Sequence, residues 1–148
     1  MPIRLLRTRV PYLHSPLDDL ESFYYTAQWA VAFNDGASGG RYNGTGIQGL
    51  REMIAGRDRA QAIDKLTSLC SLAAEVEYGP FFARSLPLLA SWWFKFLTLR
   101  RDWSKVLYDC GLRKEEDLRL NFLIYGYRGV VEYLELVHEH RESLQGAT

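Results

Sequence analysis

The sequence lacks any imbalance of charge. It contains 18 lysine and arginine residues against 18 aspartate and glutamate residues, so its formal net charge is zero. Proteins that hold nucleic-acid phosphates usually carry a clustered basic surface and an excess of positive charge. We therefore expect no nucleic-acid partner. The 148 residues, of which 47% are hydrophobic and 24% charged, have the composition of a folded globular chain. This length is close to the commonest size of one domain, so we expect a single domain over 1–148.

Long hydrophobic runs are also missing. The most apolar stretch, 86–99, is interrupted by Lys95 and is shorter than the roughly 20 residues that a bilayer-spanning helix needs. Residues 1–16 contain no apolar core typical of a secretory signal. We therefore expect no membrane partner and an intracellular location, cytoplasmic or nuclear.

Cysteine is scarce, since only Cys70 and Cys110 are present. Both lie in helix-like apolar stretches, where a free cysteine behaves as a small buried hydrophobe in a reducing compartment. A disulfide between them is not excluded, so how the two thiols are used stays open.

Alternation of period two is absent after Leu13, whereas apolar residues recur every three or four positions. The sequence therefore predicts an all-α fold of about five helices around a central apolar helix at 17–34. Ser15 is a good N-cap for that helix, and Pro16 suits its first helical position. The helix is apolar on nearly every side from Ser22 onward, which is typical of a buried helix. A flexible glycine-rich loop is expected at 36–46.

Four further helices are predicted at 47–55, 58–76, 86–109 and 114–140, with Pro87 near the first turn of the third of these. Trp92 and Trp93 are neighbours in the chain and point about 100° apart on a helix. We therefore expect only one of them to face a single core, the other capping a groove or lying exposed. The last helix has one apolar stripe, consisting of Leu120, Leu123, Ile124, Tyr127, Val131, Leu134 and Val137. Gly126 and Gly129 indicate a bend or a close helix contact.

The segment from Gly44 to Gly49 matches the nucleotide-binding pattern G-x-G-x-x-G letter for letter. That pattern cradles phosphates only where it follows a strand and opens a helix. Here a predicted helix precedes it, so we interpret the segment as a connector. The neighbouring glycines also fail as a phosphate-binding loop, because Thr45 and Gly46 stand where lysine and a hydroxyl residue are required.

No catalytic, cofactor-binding or metal-binding residues are predicted. His138 and His140 are two positions apart on a helix, so their rings point away from each other. His14 is expected to be an ordinary loop histidine. The acidic run Glu115, Glu116 and Asp117 suits the first turn of a helix, where the helix dipole favours negative charge.

The segment 14–33 resembles the fungal-type protein kinases, a divergent family with the eukaryotic protein-kinase fold. Their motif is close to H-x-x-x-D-D-L-E-S-F-x-Y, followed by an apolar stretch with tryptophan. It is matched here by His14, Asp18, Asp19, Leu20, Glu21, Ser22, Phe23, Tyr25 and Trp29. In that family the run forms the central buried helix of the large lobe. The resemblance implies that Asp19 is a scaffold carboxylate that holds the backbone of the catalytic loop.

The resemblance extends backwards over 1–14, which is similar to the end of the family's activation segment. Arg4 stands where many kinases have a glutamate that pairs with a later arginine, so any such latch needs a different partner. ATP and magnesium are implied only for a full-length relative, since the residues that handle them lie upstream in the family. The resemblance therefore implies a truncated kinase lobe, a pseudokinase fragment without activity as an isolated chain.

Two alternatives stay open beside that reading. The chain could be a helical interaction or scaffold module that binds a protein partner or itself through an exposed apolar surface. It could also be an unrelated all-α interaction domain in which the kinase-like motif is a coincidence.

Overall fold

The computed structural model describes residues 15–33, 44–56, 61, 78–110 and 115–145. Over these residues the all-α prediction is confirmed, because they contain helices and no strand. The predicted helix at 58–76, apart from residue 61, lies outside the described residues, as do Cys70, His14, 1–14 and most of the 36–46 loop. The helices are α1 (Asp18–Phe33), α2 (Thr45–Ala55), α3 (Pro80–Cys110), α4 (Glu115–Glu139) and α5 (Arg141–Gln145).

The start of α1 is held by a reciprocal cap. The backbone N–H of Leu17 donates to Ser15 Oγ at 3.2 Å, and the backbone N–H of Ser15 donates to Asp18 Oδ2 at 2.8 Å. This exchange satisfies amides that the first turn of a helix otherwise leaves without partners. The predicted N-cap is therefore confirmed, and Asp18 takes the role of the returning carboxylate.

The α2 helix is joined to the end of α1 by a buried arginine. The Arg51 side chain donates from Nε to the backbone carbonyl of Ala32 at 2.6 Å, and its guanidinium lies 5.8 Å from the centre of the Phe33 ring. Carbonyls in the last turn of a helix have no intrahelical partner and carry partial negative charge, so a cation suits them. The sequence pattern gave no sign of this contact, which connects residues 19 positions apart.

The predicted start of α3 is wrong by about six residues. The helix begins at Pro80, directly after Gly79, which adopts a left-handed φ of 88°. Proline is favoured at the first helical position because its missing N–H is not needed there. Pro87 was expected to have that place, but it lies inside the helix. Burial of Phe82 and Leu86 against α2 explains why the helix extends back past Pro87.

The centre of the described fold is α3 rather than α1. The α3 helix packs against α1, α4 and α5, whereas α1 packs mainly against α2 and α3 and meets α4 in fewer places, such as Leu20 at Gly129. Phe23 and Trp29 of α1 are each about half exposed, so the apolar surface of α1 is only partly buried. With 31 residues, α3 is the longest of the described helices, and it lines two separate cores, as does the shorter α1. One core lies between α1, α3 and α4, and the other lies between the end of α1, α2 and the start of α3.

Both adjacent tryptophans are buried, contrary to the expectation that only one would be. Trp92 is 6% exposed and Trp93 is 7% exposed. Trp92 stacks on Tyr133 of α4, while Trp93 packs against Tyr24 of α1. Because α3 lies between two neighbouring helices, side chains that diverge on the helix can each reach a core.

Candidate functional site

One side of α4 is a packing surface, which we call the inner face. Its residues recur three or four positions apart and contact the main core; they are Leu118, Phe122, Tyr125, Gly129, Tyr133 and Leu136. Gly129 is essential to this approach, because a Cβ at that position would overlap Leu20 Cδ1 of α1. The close-packing interpretation of Gly129 is therefore confirmed. A Cβ at Gly126 would meet Pro16 only at ordinary contact distances of 3.7 and 3.8 Å.

Aromatic contacts fix the rotation of α4 about its axis. The indole Nε1 of Trp92 donates to the backbone carbonyl of Tyr133 at 3.1 Å. Their two rings stack with centroids 5.3 Å apart and planes 13° apart. Further along the helix pair, Trp103 contacts Phe122 edge-on and Tyr125 at a tilt. Because each contact needs one particular side of α4 to face α3, the opposite side is turned away from the core.

Charged side chains border the inner face on one edge. Arg128 Nε donates to Glu132 Oε1 at 2.6 Å, and Lys95 of α3 lies 3.3 Å from Glu132 Oε2. Arg128 also approaches Asp102 of α3 at 4.0 Å. The hydrogen bond to Glu132 raises the pKa of Arg128 above its usual value, so this guanidinium keeps its charge. The cluster reinforces the orientation set by the aromatic rings.

The opposite side of α4 is a second apolar surface, which we call the outer face. Its central line consists of Leu120, Tyr127 and Leu134, seven residues apart, which are 59%, 75% and 65% exposed. Leu123, Val130 and Val137 flank this line on one side, and Ile124, Val131 and His138 flank it on the other. A spacing of seven residues keeps side chains in nearly one row along a helix. The outer face therefore has the pattern of a seam that pairs with another helix.

The apolar stripe predicted for the last helix is this exposed outer face, not the face that packs in the core. Both faces have helical periodicity, and Tyr127 and Leu136 are nine residues apart, which places them on opposite sides of the helix. Periodicity cannot say which of two apolar stripes is buried. The inner face was missed because glycine and aromatic residues interrupt its aliphatic pattern, although the tyrosines and Phe122 were a usable signal.

The outer face is large for a single chain. Its seven exposed large hydrophobic residues together expose roughly 800 Å² with their polar atoms included, about what one partner contributes to a standard protein interface. The largest apolar patch on a typical monomer is about 300–600 Å². Other exposed hydrophobic side chains, such as Trp29 and Tyr108, belong to different helices. The outer face is thus the most extended apolar surface among the described residues.

A shallow groove of about 410 Å³ lies on the second half of this face. It is lined by Val131, Leu134, Glu135, His138 and Glu139. The first four of these residues stand at positions i, i+3, i+4 and i+7. Four residues at that spacing form the hole that receives one side chain of a facing helix in a coiled coil. The groove therefore has the residue spacing of a site for a facing helix.

Buried tyrosines lie under the inner face. The hydroxyls of Tyr24 and Tyr133 and the Nε2 of Gln28 are buried and make no hydrogen bond to any described residue. Burial raises the pKa of both tyrosines above their ordinary value, and the nearby Glu21 carboxylate raises that of Tyr133 further. These groups are therefore neutral phenols at physiological pH. The unpaired hydroxyls of the two tyrosines destabilise the core, and they do not form a reactive centre.

The residues singled out from the sequence are not brought together. Asp19 is exposed in the first turn of α1, and its predicted scaffold role stays a prediction. His138 is exposed on the outer face, whereas His140 lies 3.4 Å from Ser91 Oγ of α3. The two imidazole rings therefore lie in different environments. Gly44 precedes α2, and Gly46 and Gly49 lie within that helix, which begins two residues earlier than predicted.

Among the described residues, no group of three or more histidine, cysteine, aspartate or glutamate side chains is arranged to hold a metal ion. None of the described helices combines the length and hydrophobicity that crossing a bilayer requires.

Comparisons of the chain with protein-family models, with curated proteins and with solved structures found no match.

Proposed function

We propose that this chain is a non-catalytic helical interaction module whose binding surface is the outer face of α4. The observation that carries this proposal is the exposed row of Leu120, Tyr127 and Leu134 at heptad spacing. Exposed apolar area of this extent is costly in water and usually marks an interaction site. The inner-face contacts hold the helix in place, so the surface is presented on a rigid support.

The occupant that fits this surface is an amphipathic helix. A helix docks through anchors at positions i, i+3, i+4 and i+7, and the groove along Val131, Leu134 and His138 has that spacing. Phosphoryl transfer is not an activity that we propose for this chain. The resemblance of 14–33 to a kinase lobe stays a prediction that rests on the sequence motif.

A charge-substituted variant tests the proposal. Leu120→Glu, Tyr127→Glu and Leu134→Glu together place three carboxylates along the central line without touching an inner-face residue. We expect unchanged helical circular dichroism and loss of both self-association and fluorescence enhancement of a hydrophobic dye. A matched control carries Trp29→Glu, Phe94→Glu and Tyr108→Glu, three exposed hydrophobic residues outside α4.

The control has the same change of charge, so it should keep the association or dye binding of the original chain. Equal dye binding and equal association by the two variants would refute an interaction role for the outer face. A separate assay with Mg-ATP should detect no phosphate transfer by the purified chain. Transfer above that of a mock preparation would overturn the non-catalytic part of the proposal.

A further inference from the structure

We propose that the occupant of the outer face is a second copy of this chain, which binds with its α4 antiparallel to the first. This inference rests on the proposed function, because it names the partner of the same surface. Most soluble oligomers are symmetric, and a two-fold dimer joins the same patch on both subunits.

The length and symmetry of the stripe favour a second copy. Leu120 and Leu134 are each seven residues from Tyr127, so the row reads the same in both directions from its midpoint. An antiparallel copy centred on Tyr127 places Leu120 opposite the second copy's Leu134, and Tyr127 beside its counterpart. No chain of different sequence is needed to complete the seam.

The area available allows a stable pair. The exposed hydrophobic residues of the outer face offer roughly 800 Å² per chain with their polar atoms included, so two copies cover at most about 1,600 Å², the size of a standard interface. A smaller patch would support only weak contacts. The groove at Val131 and Leu134 then receives side chains from the first half of the second copy's helix, which carries Leu123 and Ile124.

Charge favours the antiparallel direction. The sequence at the start of α4 carries Glu115, Glu116 and Asp117, while His138 lies in its last turn. A parallel pair would place the two acidic starts side by side. An antiparallel pair separates the two acidic starts and opposes the two helix dipoles, and it places each start near the end of the second copy's α4, where the sequence has His138 and Arg141 as well as Glu135 and Glu139.

Light scattering on the full chain tests whether the pair exists. We expect a particle of about 34 kDa, twice the 17.1 kDa of one chain, which dissociates on dilution. Tyr127→Glu should halve the measured mass, whereas Tyr108→Glu, at a residue 87% exposed on α3, should leave it unchanged. Tyr127→Gln tests the same position without adding charge and should weaken the pair in the same direction.

Cysteine cross-linking tests the direction of the pair. With Cys70 and Cys110 replaced by alanine, Tyr127→Cys should form a disulfide-linked dimer on oxidation. Leu120→Cys and Leu134→Cys should each cross-link poorly alone, but a mixture of the two chains should give the mixed dimer. Efficient linkage of Leu120→Cys with itself would indicate a parallel pair and overturn the proposed direction.

The outcomes separate this inference from the proposed function. A chain that stays monomeric at every concentration, but whose dye binding is lost in the outer-face variant, refutes the second copy and leaves an interaction surface for another helix. A monomer whose dye binding does not depend on the outer face refutes both.

Discussion

The two faces of α4 have nearly the same chemistry and opposite surroundings. Tyr133 on the inner face is buried and stacked on Trp92, whereas Tyr127 on the outer face is 75% exposed. Both belong to apolar rows with helical spacing. The difference lies partly in α4, where Gly129 allows the inner face to approach Leu20 closely, and partly in the neighbours that meet each face.

Burial of an apolar helix face depends on the side chains that a neighbouring helix brings against it. The inner face meets α1 and α3, which supply aromatic rings and a close contact at glycine. The outer face is also apolar, but it has no such partner among the described residues. Within the described residues, α4 therefore buries one of its two apolar faces. The exposed second face is the basis of the proposed interaction.

Truncating one tyrosine on each face should give the largest contrast. Tyr133→Ala removes a buried ring and its stack on Trp92, so we expect a loss of about 3–5 kcal/mol in the free energy of unfolding. Tyr127→Ala should change the stability of the monomer by less than about 0.5 kcal/mol. Urea denaturation at several chain concentrations measures both effects.

The concentration series separates folding from association. Tyr133→Ala should lower the unfolding midpoint at every concentration, whereas Tyr127→Ala should lower it only where the original chain is a dimer. Similar losses at low concentration would show that the outer face is covered within one chain.

The sequence predicted the helices better than their contacts. Capping by Ser15 and Asp18, the course of α1 and the extent of α4 follow from local residues, and the structure agrees with them. The start of α3 could not be predicted in this way, because burial of Phe82 decides it. The outer-face residues were identified as a stripe, but their exposure depends on which side of α4 meets the tryptophans of α3.

Adding a methyl group at the two glycines of α4 should give an intermediate contrast. Gly129→Ala forces Leu20 to move within a packed core, at a cost of about 1–3 kcal/mol that the helix propensity of alanine offsets by about 1 kcal/mol, so we expect a net loss of up to about 2 kcal/mol. Gly126→Ala meets only ordinary contacts with Pro16 and removes a flexible residue from a helix, so it should stabilise by about 0.5–1 kcal/mol. Thermal and urea unfolding of the two variants give the sign of each change. A stabilising Gly129→Ala would mean that α4 is held less closely than the structure indicates.

The smallest contrast concerns the buried phenols of Tyr24 and Tyr133 and appears only in alkaline solution. In the unfolded chain both phenols lose their protons at about pH 10. Burial raises the pKa of each in the folded chain, so the folded state holds more protons above that pH. The contribution of these two phenols to the free energy of unfolding should therefore be constant below about pH 10, and it should fall as the pH rises further.

Replacing both residues by phenylalanine should reduce that alkaline decline. At neutral pH the double variant Tyr24→Phe with Tyr133→Phe should be at least as stable as the original chain, because neither hydroxyl bonds to a described residue and each adds a cost to the core. Tyr127→Phe is the matched control, because it removes a phenol that is 75% exposed on the outer face, and it should leave the decline unchanged. Urea midpoints measured from neutral pH into the alkaline range compare the three chains. An equally steep decline in the double variant would show that the inner-face phenols are hydrated, and the contrast between the two faces of α4 would then be smaller than their exposure suggests.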